Sequence, residues 1–253
     1  MALIDSHCHF DFEQFDSDRA DILSRCQQLG VDKIIVPGVT ANTWDRLLQV
    51  CQQSSHLFPA LGLHPMFMSE HQPQDLHSLA EYLDHHRPIA MGEIGLDFYL
   101  ADHDKSSQIT LFEQQLRIAS EYDLPVILHV RKAHDQALIL LKKYPIKGGV
   151  VHAFNGSKQQ AQLYIQQGFL LGVGGVISYD RATRLRQLFS ELPLSALALE
   201  TDAPDMPLQG QLTTRNSPEF IPNILAALTT LRPESADVIA HTTTHNVQTL
   251  FAI

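Results

Sequence analysis

IAMGEIGLD, residues 89–97, is an apolar run with one carboxylate, Glu93, near its middle and Asp97 at its end. A short continuous apolar run reads as a strand buried on both faces, which is the character of a parallel sheet. Seven further segments share it: ALIDSH (2–7), KIIVPG (33–38), LFPALGLH (57–64), PVILHV (125–130), GGVVHAF (148–154), FLLGVGG (169–175) and ALALETDA (196–203). They recur at roughly the spacing of one βαβ unit, about 30 residues. Helix-like stretches lie between them. In SDRADILSRCQQLG (17–30), Ser17 or Asp18 can cap, Ile22, Leu23 and Cys26 share a face, and Gly30 can close the C-terminus. SQITLFEQQLRIASEYD (107–123) and SPEFIPNILAALTTLR (217–232) have similar apolar spacing. Eight strands alternating with helices predict an α/β chain folded as a closed (β/α)8 TIM barrel, whose usual size is about 250 residues. The open doubly wound sheet is the structural rival, and the lack of a Gly-rich phosphate loop after the first strand counts against it. With no low-complexity tract, charge block or Gly/Ser linker, residues 1–253 read as a single domain.

The composition narrows the partners. A formal charge of −10 argues against a broad basic surface that grips duplex nucleic acid along its length. An anionic substrate would need local positive charge from a few arginines or from metal ions. No apolar run approaches the roughly 18 residues that span a bilayer, and Asp5 interrupts the N-terminus before a signal-peptide core forms. A cytoplasmic location and no membrane partner are therefore expected. Cys8, Cys26 and Cys51 are odd in number and lack CxxC spacing, so reduced, buried thiols are expected rather than disulfides or a cysteine zinc site.

The polar residues inside the apolar segments carry the chemistry. In IDSHCHFD (4–11), His7 and His9 are two apart, so in a strand they share a face while Cys8 points away. Fourteen histidines in 253 residues give roughly 0.8 such pairs by chance, and the pair alone proves nothing. The other candidates decide it: Glu93 in the fourth strand, His129 near the end of the fifth, His152 in the sixth and Asp202 at the end of the eighth. In a barrel all of these approach the C-terminal rim, where catalytic groups of this architecture lie. Charged residues in barrel strands need paired partners or metals. Six nitrogen and oxygen donors suit Zn²⁺, Mn²⁺, Co²⁺ or Fe²⁺, and a carboxylate such as Glu93 can bridge two ions. Two ions about 3.5–4 Å apart can share a hydroxide nucleophile and stabilise charge on a phosphoryl group.

Seven short motifs in order, DSHCHFD (5–11), GLHP (62–65), GEIGLDFY (92–99), PVILHVR (125–131), VHAFNGS (151–157), LETDAP (199–204) and RNSP (215–218), run across nearly the whole chain, which resembles the TatD-related deoxyribonucleases of the amidohydrolase-like superfamily. The resemblance implies divalent metal cations, two per chain, with Zn, Mn, Mg and Co all open. It implies that His7, His9, Glu93 and Asp202 hold one ion and Glu93, His129 and His152 the other. It also implies DNA as substrate; the acidic charge and a recessed site point to single strands or strand ends and a 3'-5' exodeoxyribonuclease-type activity, with endo- versus exonuclease action, strand direction and RNA left open. The fourth strand has no lysine, so a modified lysine bridge is excluded there.

Around that centre, His64 ends the third strand, where it can bind a phosphate oxygen or protonate a leaving alkoxide. Arg131 follows His129 by two and can hold a phosphate through paired hydrogen bonds. Asn155, with Gly156 and Ser157, can add polar contacts from a loop. Asp202 and Glu93 are the expected catalytic carboxylates, Asp202 taking a proton from the attacking water. Asp205, Met206 and Pro207 stand where many relatives carry an aromatic or aliphatic pair, which leaves the substrate preference open. Plainer roles compete: His64 capping a strand before Pro65, Arg131 neutralising Asp5 or Asp97, and glycines 172, 174 and 175 serving close packing. His85 and His86, like the i, i+4 pair His241 and His245, read as exposed or helix-packing residues. Two other functions fit the same metal site: a hydrolase of small amides, esters or nucleobases, and a non-catalytic metal-binding or partner-binding barrel. No obligate protein partner is implied.

Overall fold

The structure is a computed structural model that describes residues 2–99, 104–211 and 215–253. The first half runs β1 (Leu3–Asp5), α1 (Arg19–Gln28), β2 (Val31–Pro37), α2 (Trp44–Cys51), β3 (Leu57–Leu61), α3 (Asp75–His86), β4 (Ala90–Asp97) and α4 (Lys105–Glu121). The second runs β5 (Val126–Arg131), α5 (His134–Leu141), β6 (Gly149–Val151), α6 (Lys158–Gln166), β7 (Phe169–Val173), α7 (Thr183–Glu191), β8 (Leu197–Leu199), α8 (Ile221–Thr229) and α9 (Ala236–Phe251). Strands pair in parallel in chain order from β1 to β8. Between β1 and β8 the Ser6 N–H donates to the Leu199 carbonyl at 2.9 Å, so the sheet curls round onto itself. This is the (β/α)8 barrel implied by the alternation of apolar and helical segments.

Two apolar layers follow from the period-2 alternation of the strands. One cluster takes a single residue from every strand: Ile4, Ile35, Ala60, Ala90, Ile127, Val150, Leu170 and Ala198. Val247 and Phe251 of α9 belong to it, so the C-terminal helix closes the end of the barrel where the strands begin. The alternate strand residues, among them Ile34, Leu61, Met91, Leu128, Val151 and Leu171, face outward and pack with helix residues such as Phe112, Leu116 and Ala161. The three cysteines are buried and free.

Several strands are shorter than their apolar segments predict. The segments beginning at residues 2, 57, 148, 169 and 196 leave the ladder at Asp5, Leu61, Val151, Val173 and Leu199. At four of these points the reason is chemical: His7, His64, His152, Glu200 and Asp202 lie just beyond Asp5, Leu61, Val151 and Leu199, while after Val173 the chain enters the turn that begins at Gly174. His7 and His9 therefore sit past β1, in a segment bonded to the chain after β8 through Asp202 N–H to the His7 carbonyl (2.9 Å) and His9 N–H to the Ala203 carbonyl (2.8 Å). His152 likewise follows β6, and Asp202 follows β8 rather than ending it. Helix α1 begins after Asp18, whose carboxylate pairs with Arg215 at 2.7 Å and makes no cap hydrogen bond. Gly30 closes the helix with a positive φ of 81°.

Candidate functional site

Continuing two residues along the strands from the apolar ring leads to the mouth. His129 stands two beyond Ile127, His152 two beyond Val150, and Glu200 and Asp202 two and four beyond Ala198. Strand β4 breaks the alternation. Met91 pairs with Val126 and Ile94 with Leu128, so three residues on β4 face two on β5, and this bulge changes the alternation so that Glu93 faces inward. Gly95 lies opposite His129 with φ 146°, and a Cβ there would come within 2.0 Å of the His129 carbonyl oxygen. Only glycine allows the strands to approach so closely.

The six predicted ligands meet. Glu93, 1% exposed, faces both sides of the cluster. Its Oε2 is 3.2 Å from His7 Nε2 and 3.5 Å from His9 Nε2, while its Oε1 is 3.1 Å from His129 Nδ1 and 3.2 Å from His64 Nε2. Asp202 Oδ1 lies 3.6 Å from His7 Nε2 and 3.7 Å from His9 Nε2, and its Oδ2 3.6 Å from His152 Nε2. The His7 and His9 Nε2 atoms are 3.4 Å apart, and the His7 ring stacks on His152 at 3.7 Å. Three overlapping groups have donor atoms close enough for one cation: His7, Glu93, His152; His7, His9, Asp202; and His64, Glu93, His129.

For three of the imidazoles the neighbour of the outer nitrogen bears on which nitrogen can meet a cation. His129 Nε2 is 3.0 Å from Asp97 Oδ2, which holds a proton on Nε2 and turns Nδ1 toward Glu93. His152 takes the opposite arrangement: Nδ1 is 3.2 Å from Glu200 Oε1, and Nε2 faces Asp202. In His64, Nδ1 accepts the Met66 N–H at 3.1 Å, so the neutral ring carries its proton on Nε2 and donates toward Glu93. That tautomer disfavours His64 as a ligand and suits a hydrogen bond to a substrate oxygen.

The electrostatics follow from burial and crowding. Burial alone would raise the Glu93 pKa, but the imidazoles of His64 and His7 and the hydrogen bond from His129 hold it well below the usual carboxylate range. Burial pushes Asp202 up to about 7, against the pull of His152 and with help from Glu93 and Glu200. Burial lowers His9 to about 4 and His7 well below the ordinary value. For His152 burial works the same way but is outweighed by Asp202 and Glu200, which raise it to about 10. A divalent cation among these groups reverses the logic, favouring deprotonated imidazole and carboxylate. Oxygen and imidazole donors converging on a shared carboxylate fit such an ion.

Sequence reasoning passed over the residues that hold the ligands in place. Asp5, fully buried, accepts the Thr201 N–H at 3.0 Å, the Thr201 hydroxyl at 2.5 Å and the His7 N–H at 3.2 Å. Asn216 donates to the carbonyls of Thr201 (2.8 Å) and Asp205 (2.7 Å), holding the loop that carries Asp202. Asp202 itself has φ 58°, a left-handed conformation that aspartate tolerates better than most residues. Glu200 is buried beside Gly172, where a Cβ would lie 2.2 Å from Glu200 Oε2. The available signal was position: Asp97 and Glu200 stand inside the GEIGLDFY and LETDAP motifs, and Glu200 shares a face with Asp202.

At the rim, Arg131 forms no ion pair with Asp5 or Asp97 among the described residues. Asp97 instead accepts the Tyr99 N–H and faces His129, and the Arg131 guanidinium lies over the Tyr99 ring at 3.7 Å. It is exposed beside the cluster. Asn155 is exposed too, its Oδ1 3.2 Å from His134 Nε2. His85, His86, His241 and His245 are exposed on α3 and α9, away from the cluster.

Comparison with known proteins places this arrangement. The profile of the family described as TatD related DNase matches residues 4–252. A metal-dependent hydrolase of Escherichia coli K12 without assigned substrate, YjjV, is 45% identical over 99% of this chain and 98% of its own length. Its crystal structure, described as that of a TatD homologue, superposes with a TM-score of 0.96 over 99% of this chain and 98% of that one, at 44% identity. A 3'-5' ssDNA/RNA exonuclease, TatD of Escherichia fergusonii, is 33% identical over 95% of both chains.

Proposed function

Because this chain belongs to the TatD-related DNase family of metal-dependent hydrolases, we propose that it cleaves phosphodiester bonds at the ends of single-stranded DNA as a 3'-5' exonuclease. The observation that carries this reading is Glu93, whose two carboxylate oxygens each face a different set of imidazole nitrogens. Residues 1–253 act as one catalytic unit in this proposal. His7, His9, Glu93 and Asp202 hold one divalent cation, and Glu93, His129 and His152 a second. Such ions supply an activated water and neutralise charge on the phosphoryl oxygens.

The side chains do the rest. Asp202 takes the proton of the attacking water, a role suited to a carboxylate whose two oxygens face the imidazoles of His7, His9 and His152. His64 presents an Nε2–H to a phosphate oxygen or to the leaving alkoxide. Arg131 and Asn155 hold the neighbouring phosphate at the rim. The net charge of −10 keeps duplex DNA off the rest of the surface, which favours strand ends.

The test is a chelator-stripped enzyme restored with Zn²⁺, Mn²⁺, Co²⁺ or Mg²⁺ and given 5'-end-labelled single- and double-stranded oligonucleotides. Activity should vanish on stripping, return with a divalent cation, and shorten the single strand one nucleotide at a time. A metal-loaded protein that leaves every oligonucleotide intact overturns the reading.

A further inference from the structure

A cavity of about 440 Å³ adjoins the ligand cluster, with His129, His152 and Asp202 among its lining residues. Much of the remaining wall is apolar: Val176 and Ile177 of the turn after β7, Leu185 and Phe189 of α7, and Met206. We propose that this cavity is a subsite for the nucleobase of the 3'-terminal nucleotide, an inference that rests on the exonuclease reading and specifies how such a site selects a strand end.

Three features carry it. The cavity is continuous with the ligand side chains, so its occupant is a group covalently attached to the reacting centre. Its volume lies in the lower part of the range for small-ligand pockets, about 300–1,000 Å³, which suits one nucleoside and not a length of strand. Its charge pattern then favours a terminal group over an internal one. Arg131, at the rim, is the one lysine or arginine among the described lining residues, and His129 and His152 lie at the cluster end, so a strand running deeper would bury further phosphates against Ile177, Leu185 and Phe189 without a partner. A base with no phosphate beyond it meets no such penalty.

The walls are also preformed. The Arg184 guanidinium donates to the carbonyls of Asn155 (2.7 Å) and Gly156 (2.8 Å), tying α7 to the loop after β6. The Tyr179 hydroxyl donates to the Pro207 carbonyl (2.7 Å) and the Gln209 N–H to Ser178 Oγ (2.8 Å), tying the turn after β7 to the loop that follows Asp202. A wall of aliphatic groups and the phenyl rings of Phe154 and Phe189 accepts the flat face of any base and reads no Watson–Crick edge, so recognition should tolerate sequence.

The experiment compares single strands that end in a normal nucleotide with the same strands ending in an abasic tetrahydrofuran nucleotide. Wild-type kcat/KM should be about 10-fold or more higher for the normal end, with the four bases within a few-fold of one another. Leu185→Trp and Val176→Trp fill the cavity from two separate elements, and in whichever folds, by circular dichroism, that ratio should fall toward one. If wild type trims normal and abasic ends equally, the pocket assignment fails while the exonuclease reading stands. If no strand is trimmed and a small apolar ester is hydrolysed instead, both fail.

Discussion

At the end of the barrel where the strands begin, the interior is Ile4, Ile35, Ile127, Val150 and Leu170 with small alanines between. Two to four residues further along β5, β6 and the chain after β8, the interior is His129, His152, Glu200 and Asp202. Both regions are buried and both obey the same alternation of side chains. They differ in what burial does. Each large aliphatic group in the lower ring contributes about 1.5–3 kcal/mol by leaving water. Each carboxylate or imidazole in the upper one costs free energy unless it is hydrogen-bonded, paired or bound to a cation. The barrel is thus stabilised at one end and chemically committed at the other, and mutations should separate the two.

The largest expected effect is at the upper ring's hinge point. Glu93→Gln keeps the shape but removes the charge shared by the two sides of the cluster. It should abolish stoichiometric metal binding and cut hydrolysis by about 10³-fold, the scale of losing transition-state charge stabilisation, as read by elemental analysis and kcat. Asp202→Asn should leave the circular dichroism spectrum unchanged and lower hydrolysis by about 10²-fold, the lower end of what a positioned proton acceptor contributes. Near-normal turnover in either would erase the distinction between the rings.

The reciprocal experiment is at the other end. Phe251→Ala, in the helix that closes the lower ring, should cost about 3–5 kcal/mol in denaturant unfolding while leaving metal content unchanged. Loss of metal in the folded variant would show that the two ends are not separable.

Smaller effects sharpen the picture within the upper ring. Asp97 and Glu200 touch the outer nitrogens of His129 and His152. Asp97→Asn and Glu200→Gln should therefore weaken metal affinity by about 10–100-fold without abolishing it, with ¹⁵N shifts of the two rings reporting altered tautomers. An unchanged affinity and unchanged ring shifts would leave these carboxylates a packing role only.

The smallest effect is in pH. In the metal-free protein Asp202 is raised from 3.8 to about 7 and His152 from 6.5 to about 10. Both contributions to stability are full below the ordinary values and are lost as pH climbs through the raised ones. The stability of chelated wild type minus that of Asp202→Asn should fall between pH 5 and 8 in thermal melts. Metal affinity should move the other way and rise with pH, because the ion displaces those protons. A stability difference that rises over this range would reverse the assignment.

Much of this was legible in the chain. The apolar segments marked all eight strands because a strand buried on two faces must be apolar nearly throughout, and His7, His9, Glu93, His129, His152 and Asp202 stood out as the exceptions. Strand ends were less legible, since LFPALGLH stays apolar at Leu63, past the last ladder residue Leu61. The bulge that turns Glu93 inward was not visible either, because it is a register between β4 and β5 rather than a property of either strand.

By itself the sequence determined which residue types sit on which face of each strand, and so the barrel and the identity of its polar exceptions, because period and hydrophobicity are local properties. Only the tertiary structure decided the rest. It set which nitrogen of His129 or His152 faces the cluster, that Arg131 lies over Tyr99 instead of pairing with Asp97, and that an apolar cavity adjoins the carboxylates. Each of these depends on partners 30 or more residues away in sequence, or on loops meeting across the mouth, and such distances close only when the sheet curls round on itself.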